Sequence, residues 1–213
     1  NASTARRVRS GSGPVLALVN GAFAEGFAHV ARSCGRSVEA LSAEWGGVVP
    51  LDAVEARLKL GRFRVVTVVH SETSTGALTD VREVQALATR YGATCLIDSV
   101  SGVGGVPVET DAWGLDYVFT GSQKAFALPP GLAFGVASEA FLTGAAKVQD
   151  RGLYFDLVAF ETFAERSQTP NTPALPLLFA LEAQLTAMAR EGIEARWARQ
   201  DAMRARVEQW VGA

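Results

Sequence analysis

Short apolar runs alternate with segments of helical period along most of the chain. The runs Pro14 to Val19, Ser37 to Leu41, Arg64 to His70, Ala93 to Asp98 and Asp116 to Thr120 predict strands. Apolar positions at helical spacing between them predict helices near Ala22 to Cys34, Leu51 to Leu60 and Asp80 to Tyr91. The last of these is clearly punctuated. Asp80 and Glu83 stand in capping-box spacing, Val81, Val84, Leu87, Ala88 and Tyr91 form one apolar face, and Gly92 follows as the stop. Strands that are apolar throughout, with helices between them, predict an α/β three-layer sandwich with a mostly parallel central sheet. Leu132 to Ser138 suits a further strand, running antiparallel. A loop-rich stretch is expected from Gly152 to Pro176, followed by two long helices, Leu177 to Arg190 and Glu194 to Val211. The break at Gly192 divides the chain into a large domain, residues 1–191, and the start of a smaller one, residues 192–213.

Composition narrows the function classes. The 213 residues are 48% hydrophobic and 20% charged, enough for one large core. A net charge of -2, with cations spread along helices, provides no field for nucleic acid. No uncharged run reaches the roughly 20 apolar residues that cross a bilayer, so a soluble protein without membrane contact is expected. Cys34 falls on a predicted helix and Cys95 in a predicted strand, which favours free thiols and a cytoplasmic setting over a disulfide scaffold. The chain opens on Asn1-Ala-Ser-Thr-Ala-Arg-Arg7 with a helix-like segment and neither initiator Met nor signal peptide. It reads as an internal piece, with material missing at both ends.

In doubly wound sheets ligands bind beyond the carboxyl ends of the strands. Four segments there are polar or Gly-rich: Asn20-Gly-Ala-Phe23, His70-Ser-Glu-Thr-Ser-Thr-Gly76, Asp98-Ser-Val-Ser101 and Thr120-Gly-Ser-Gln-Lys124. Lys124 is followed by uncharged residues from Ala125 to Ser138, surroundings that favour the neutral, nucleophilic amine over a solvated ammonium. Asp98 ends a strand and is either a cap or a functional carboxylate. A lysine that condenses with an aldehyde and an aspartate that keeps a pyridinium protonated together suggest pyridoxal phosphate chemistry. The hydroxyls of Thr73 to Thr75 are either an ordinary turn or contacts to such a cofactor, and Phe23 is either core or a stacking ring. His29 and His70 lack metal-ligand spacing and are read as structural.

The segments His70 to Gly76, Asp98 to Val100 and Gly121-Ser-Gln-Lys-Ala125 resemble those of class V aminotransferases of pyridoxal-phosphate fold type I, most of all the alanine-glyoxylate and serine-pyruvate group. The resemblance spans nearly the whole chain, as a middle slice of that fold. It implies that Lys124 is the Schiff-base lysine, Asp98 the partner of the pyridine nitrogen and Val100 the apolar contact on one ring face. It further implies that Phe23 stacks on the other face, Thr73 bonds the ring oxygen and Gln123 approaches the phosphate. The loop Thr169-Pro-Asn-Thr-Pro173 resembles the family segment that reaches the neighbouring subunit's phosphate, so Thr169 and Thr172 imply a homodimer with a shared site. The implied activity moves an amino group from a small amino acid such as alanine or serine to an oxo acid such as glyoxylate or pyruvate, by a ping-pong cycle through a Lys124 aldimine.

Two family features are absent from the sequence: the Gly-rich phosphate turn before the opening helix and the C-terminal arginine for the substrate carboxylate. Ser10-Gly-Ser-Gly13 precedes a strand and reads as a loop. Among rivals, a phosphoserine aminotransferase-like enzyme shares the fold, as does a cysteine desulfurase or related lyase. The desulfurases place His directly before the lysine and a catalytic Cys later, whereas here Gln123 precedes Lys124 and no Cys follows Cys95. A dehydrogenase would need Gly-x-Gly-x-x-Gly, and a serine hydrolase Gly-x-Ser-x-Gly; neither is present in context. A non-catalytic dimeric scaffold is the alternative from another class.

Overall fold

A computed structural model describes residues 13–149 and 151–212. The helix-like opening segment and most of the Ser10 to Gly13 tract lie outside the described residues. Among the described residues, six strands form one sheet: β1 (Val15–Val19), β2 (Val38–Ser42), β3 (Val65–Val69), β4 (Thr94–Asp98), β5 (Tyr117–Gly121) and β6 (Ala133–Ala137). Their order is β2-β1-β3-β4-β5-β6. All neighbours pair in parallel except β5 and β6, which run antiparallel from Tyr117 opposite Ala137 to Gly121 opposite Ala133. The expected mostly parallel sheet and the antiparallel β6 are both present.

Among the described residues, seven helices accompany it: α1 (Ala22–Ser33), α2 (Leu51–Leu58), α3 (Val81–Arg90), α4 (Glu139–Ala146), α5 (Leu157–Ala164), α6 (Leu175–Glu191) and α7 (Ile193–Val211). Strand residues alternate between two faces, and each face has its own core. On one side Leu16, Leu18, Val66, Val68 and Ile97 pack with Val54 and Leu58 of α2 and Val81, Val84 and Leu87 of α3. On the other, Val15, Leu96 and Tyr117 pack with Phe141 of α4, and Phe27 of α1 joins them. Because both faces are covered, the central strands carry no polar face, which is why they read as continuous apolar runs.

Local punctuation follows the sequence in places and departs from it in others. Asp80 caps α3 by accepting from Glu83 N at 3.1 Å, and Gly92 ends that helix region at φ +68. The stretch from Gly152 to Pro176 is not all loop: α5 lies within it, its N-terminus capped by Asp156, which accepts from Val158 N at 3.1 Å. The segment is short and has no amphipathic stripe, so periodicity misses it. Helix α4 also went unanticipated; Ser138 caps it by accepting from Phe141 N at 3.1 Å. Helix α6 begins at Leu175 because Pro176 occupies its first turn, where a missing N–H costs nothing. Gly192, at φ +84, turns the chain from α6 into α7.

Candidate active site

Successive crossovers place β2 on one side of β1 and β3 on the other. Such a change of winding direction opens a crevice beyond the carboxyl ends of the strands. Three of the four polar segments leave β1, β3 and β4 there, and the fourth runs from the end of β5 to Lys124. Side-chain bonds tie all four together.

The anchor is Glu72, fully buried on the turn after β3. Helix α1 starts at Gly21, which has no side chain to cap it, so its first amides need acceptors from elsewhere. Ala22 N donates to Ser74 Oγ at 2.9 Å, Phe23 N to Glu72 Oε1 at 3.4 Å and Ala24 N to Glu72 Oε2 at 3.0 Å. Ser74 N and Ser74 Oγ also donate to Glu72 Oε1, at 3.0 and 2.7 Å. Burial pushes the Glu72 carboxyl up, but the Ser74 hydroxyl and the amides of Ser74, Ala24 and Phe23 outweigh it and hold the group below its ordinary value. Close approach explains Gly21: a β-carbon there would lie 2.4 Å from Glu72 Cγ and 2.5 Å from Ser74 Oγ. Asn20 is fixed as well, donating through Nδ2 to Thr79 Oγ1 at 3.2 Å.

Next to this knot, Thr73 Oγ1 and Ser101 Oγ share a hydrogen bond of 2.7 Å, joining the turn after β3 to the loop after β4. Asp98 is partly buried at the head of that loop and accepts from Val100 N through Oδ1 at 2.9 Å. Val100 O in turn accepts from Thr120 Oγ1 at 3.2 Å, which links β5 to the same loop. Burial raises the Asp98 carboxyl above its ordinary range; the Val100 amide opposes this, the negative Glu72 reinforces it, and the positive Lys124 pulls it back down. Gln123 is exposed and folds its amide over Gly121, where a β-carbon would meet Gln123 Oε1 at 2.7 Å. Phe23, in the first turn of α1, leaves 53% of its surface open, so it is no core residue.

His70 is buried, its Nδ1 sharing a 2.9 Å hydrogen bond with Ser99 Oγ. Burial pushes its pKa down to about 4, against a small opposing pull from Asp80, so the ring is neutral at physiological pH. Thr169 and Thr172 are exposed on the segment between α5 and α6, and Thr169 donates to Asn171 O at 2.8 Å. Among the described residues, no hydrogen bond links either of them to the crevice segments. The sequence reading overlooked Glu72, although it is the one charged residue between His70 and Thr79.

The sequence and the fold both match a known group. The aminotransferase class-V family profile matches residues 20–211, and the chain belongs to that family. It is 40% identical over 185 residues to an uncharacterized aminotransferase of Methanocaldococcus jannaschii, an alignment covering 85% of this chain and 48% of that protein. It is 33% identical over 205 residues to the L-aspartate–glyoxylate aminotransferase of Paracoccus denitrificans, covering 92% of this chain and 52% of the relative. The crystal structure of the ureidoglycine-glyoxylate aminotransferase of Bacillus subtilis superimposes with a TM-score of 0.83 at 28% identity, over 93% of this chain and 53% of that one. The chain thus spans about half the length of the curated relatives it matches.

Proposed function

We propose that the full-length protein is a pyridoxal phosphate-dependent aminotransferase that moves an amino group from a small amino acid, such as alanine or serine, to an oxo acid such as glyoxylate or pyruvate. The observation that carries this reading is a partly buried carboxylate, Asp98, with its protonation pushed upward and a lysine, Lys124, whose charge opposes that push. A buried anion in need of a cation suits a protonated pyridine ring. The side chains fit the rest of the cofactor: an open aromatic ring at Phe23, an aliphatic group at Val100, a hydroxyl at Thr73 and an amide at Gln123. The named activities of the Paracoccus and Bacillus relatives support glyoxylate as an acceptor.

Bound in the crevice, pyridoxal phosphate supplies an electron sink for the pair released at a substrate α-carbon. Lys124 would hold it covalently through Nζ and, when displaced by the substrate amine, move the proton at the α-carbon as base and then acid. Asp98 would keep the ring nitrogen protonated. Phe23 and Val100 would cover the two ring faces, Thr73 would bond the ring oxygen and Gln123 would approach the phosphate. Thr169 and Thr172, standing apart from this crevice, would reach the phosphate of a second copy in a homodimer. Residues 192–213 would begin a second domain, and the free thiols of Cys34 and Cys95 fit a reducing, cytoplasmic compartment.

The test is spectroscopic. Full-length protein given pyridoxal phosphate should develop an absorbance band at about 400 nm that Lys124→Ala lacks. Alanine, serine, aspartate and phosphoserine, added singly without oxo acid, should bleach the band for the true donor. Cofactor uptake with no such band would overturn the reading.

A further inference from the structure

Arg196 stands in the first turn of α7, a long way in sequence from the crevice, yet it is only 6% exposed. A buried guanidinium must have its donors paired. Its Nε donates to Gly104 O at 3.0 Å, its Nη1 to Glu191 Oε2 at 3.1 Å, and its Nη2 to Ala125 O. Those two carbonyls come from different loops. Gly104 lies on the loop after β4, which begins with Asp98 and Val100, and Ala125 is the residue directly after Lys124. The loops also touch, since a β-carbon on Gly104 or Gly105 would lie 3.5 Å from Ala125 Cβ. Met188 of α6 seats against the same point, its Cε 3.6 Å from that position on Gly104.

Glu191 alone would satisfy the charge of Arg196, and it also binds Arg199 through both its oxygens, at 2.5 and 3.1 Å. That fixes one edge of the guanidinium to the α6–α7 corner. The other edge is spent on main-chain carbonyls of two loops whose other side-chain tie among the described residues is the bond from Thr120 Oγ1, at the end of β5, to Val100 O. We infer that Arg196 is a positioning residue: it staples the Asp98–Val100 loop to the Lys124 turn, so that the seating of α7 fixes where the lysine amine stands relative to the carboxylate. The inference rests on the reading of Lys124 and Asp98 as cofactor residues. Its consequence is that displacement of the segment after Gly192 reaches the amine without any contact to substrate.

Hydrogen exchange on the full-length protein without cofactor tests the staple. The amides to follow are those bonded within each loop: Gly102, Val103, Gly105 and Val106 in the first, Ala127 and Leu128 in the second. Arg196→Met should speed exchange at both sets about tenfold or more, while amides of β1 and β3 keep their wild-type rates. Arg196→Lys keeps the charge but offers no planar fork for two carbonyls, so it should fall between wild type and Met and serves if the Met variant folds poorly. In the cofactor-loaded protein, the pH midpoint of the band at about 400 nm should move in Arg196→Met and return part of the way in Arg196→Lys. Unchanged exchange in either loop, or a uniform rise across the whole sheet, would overturn the inference. A wild-type protein with no band would instead remove the reading of Lys124, and the exchange rates would still decide whether the loops are tied.

Discussion

Replacing Glu72 tests how far one carboxylate organises the crevice. It accepts from two amides of α1 and from both donors of Ser74, with no solvent to substitute for it. In Glu72→Ala, Phe23 N and Ala24 N lose their acceptor, and each unpaired buried amide costs about 1–3 kcal/mol. Loss of a negative charge at a helix N-terminus adds about 0.3–2 kcal/mol. The sum expected for Ala is about 2–8 kcal/mol, and roughly half of that for Glu72→Gln, which keeps one acceptor oxygen. Against a total of about 5–15 kcal/mol for a domain, this is readily seen in urea unfolding of the full-length protein. Cofactor affinity should fall in parallel, since Glu72 seats the amide of Phe23 and lies next to Thr73. The folded-state carboxyl is held below its ordinary 4.5, so this stabilisation is present above that pH and fades as pH falls through the lower folded value. A Glu72→Gln protein within about 0.5 kcal/mol of wild type, with unchanged cofactor affinity, would refute the reasoning.

Gly21→Ala should disrupt the same cap, because the added β-carbon meets Glu72 and Ser74; a loss of about 1–3 kcal/mol in urea unfolding is expected. Gly26→Ala, on the same helix with nothing within 4 Å, is the control and should gain about 0.5–1 kcal/mol. His70 is neutral in the fold down to a pH of about 4 but takes a proton near 6.5 when unfolded, so stability should drain away as pH falls between those values, by about 3 kcal/mol in all. Thermal melts of His70→Asn should show a much flatter profile over that window; an identical profile would count against the assignment. Asp98→Asn keeps an acceptor for Val100 N but removes a buried charge, so without cofactor the variant should be more stable than wild type at pH 7. That advantage should shrink as pH falls through the raised folded value and close below 3.8, where the carboxyl is protonated in both states. A less stable Asp98→Asn at pH 7 would show that the carboxylate is already compensated.

The parts of the fold visible in the sequence were those carried by local periodicity. Continuous apolar runs such as Val15 to Val19 and Val65 to Val69 mark strands covered on both faces, and Asp80, Glu83 and Gly92 mark the ends of a helix. Helix α5 escaped because Leu157 to Ala164 is short, mostly apolar and set between loops, so it has no clear stripe to detect. The polar segments at the strand ends announced the crevice, since a connector without a role has no need of such residues there. What tied them together was not visible. Glu72 bonds amides 48 and 49 residues away, and Arg196 reaches carbonyls 71 and 92 residues away. Such pairings are set by which strands lie side by side in the sheet, and no local pattern encodes that order. Gly21 is the partial exception: a glycine just after a strand hints at a close approach, though not at what approaches.

The most direct test of the central claim is to reduce the cofactor-loaded, full-length protein with borohydride and locate the label by peptide mapping. Within the 213 residues the candidates are Lys59, Lys124 and Lys147, and Lys59 pairs with Glu55 at 3.4 Å on α2. The label is expected on Lys124 alone, and to be lost in Lys124→Ala. A label on any other lysine, or none on protein that has taken up the cofactor, would contradict the assignment of Lys124.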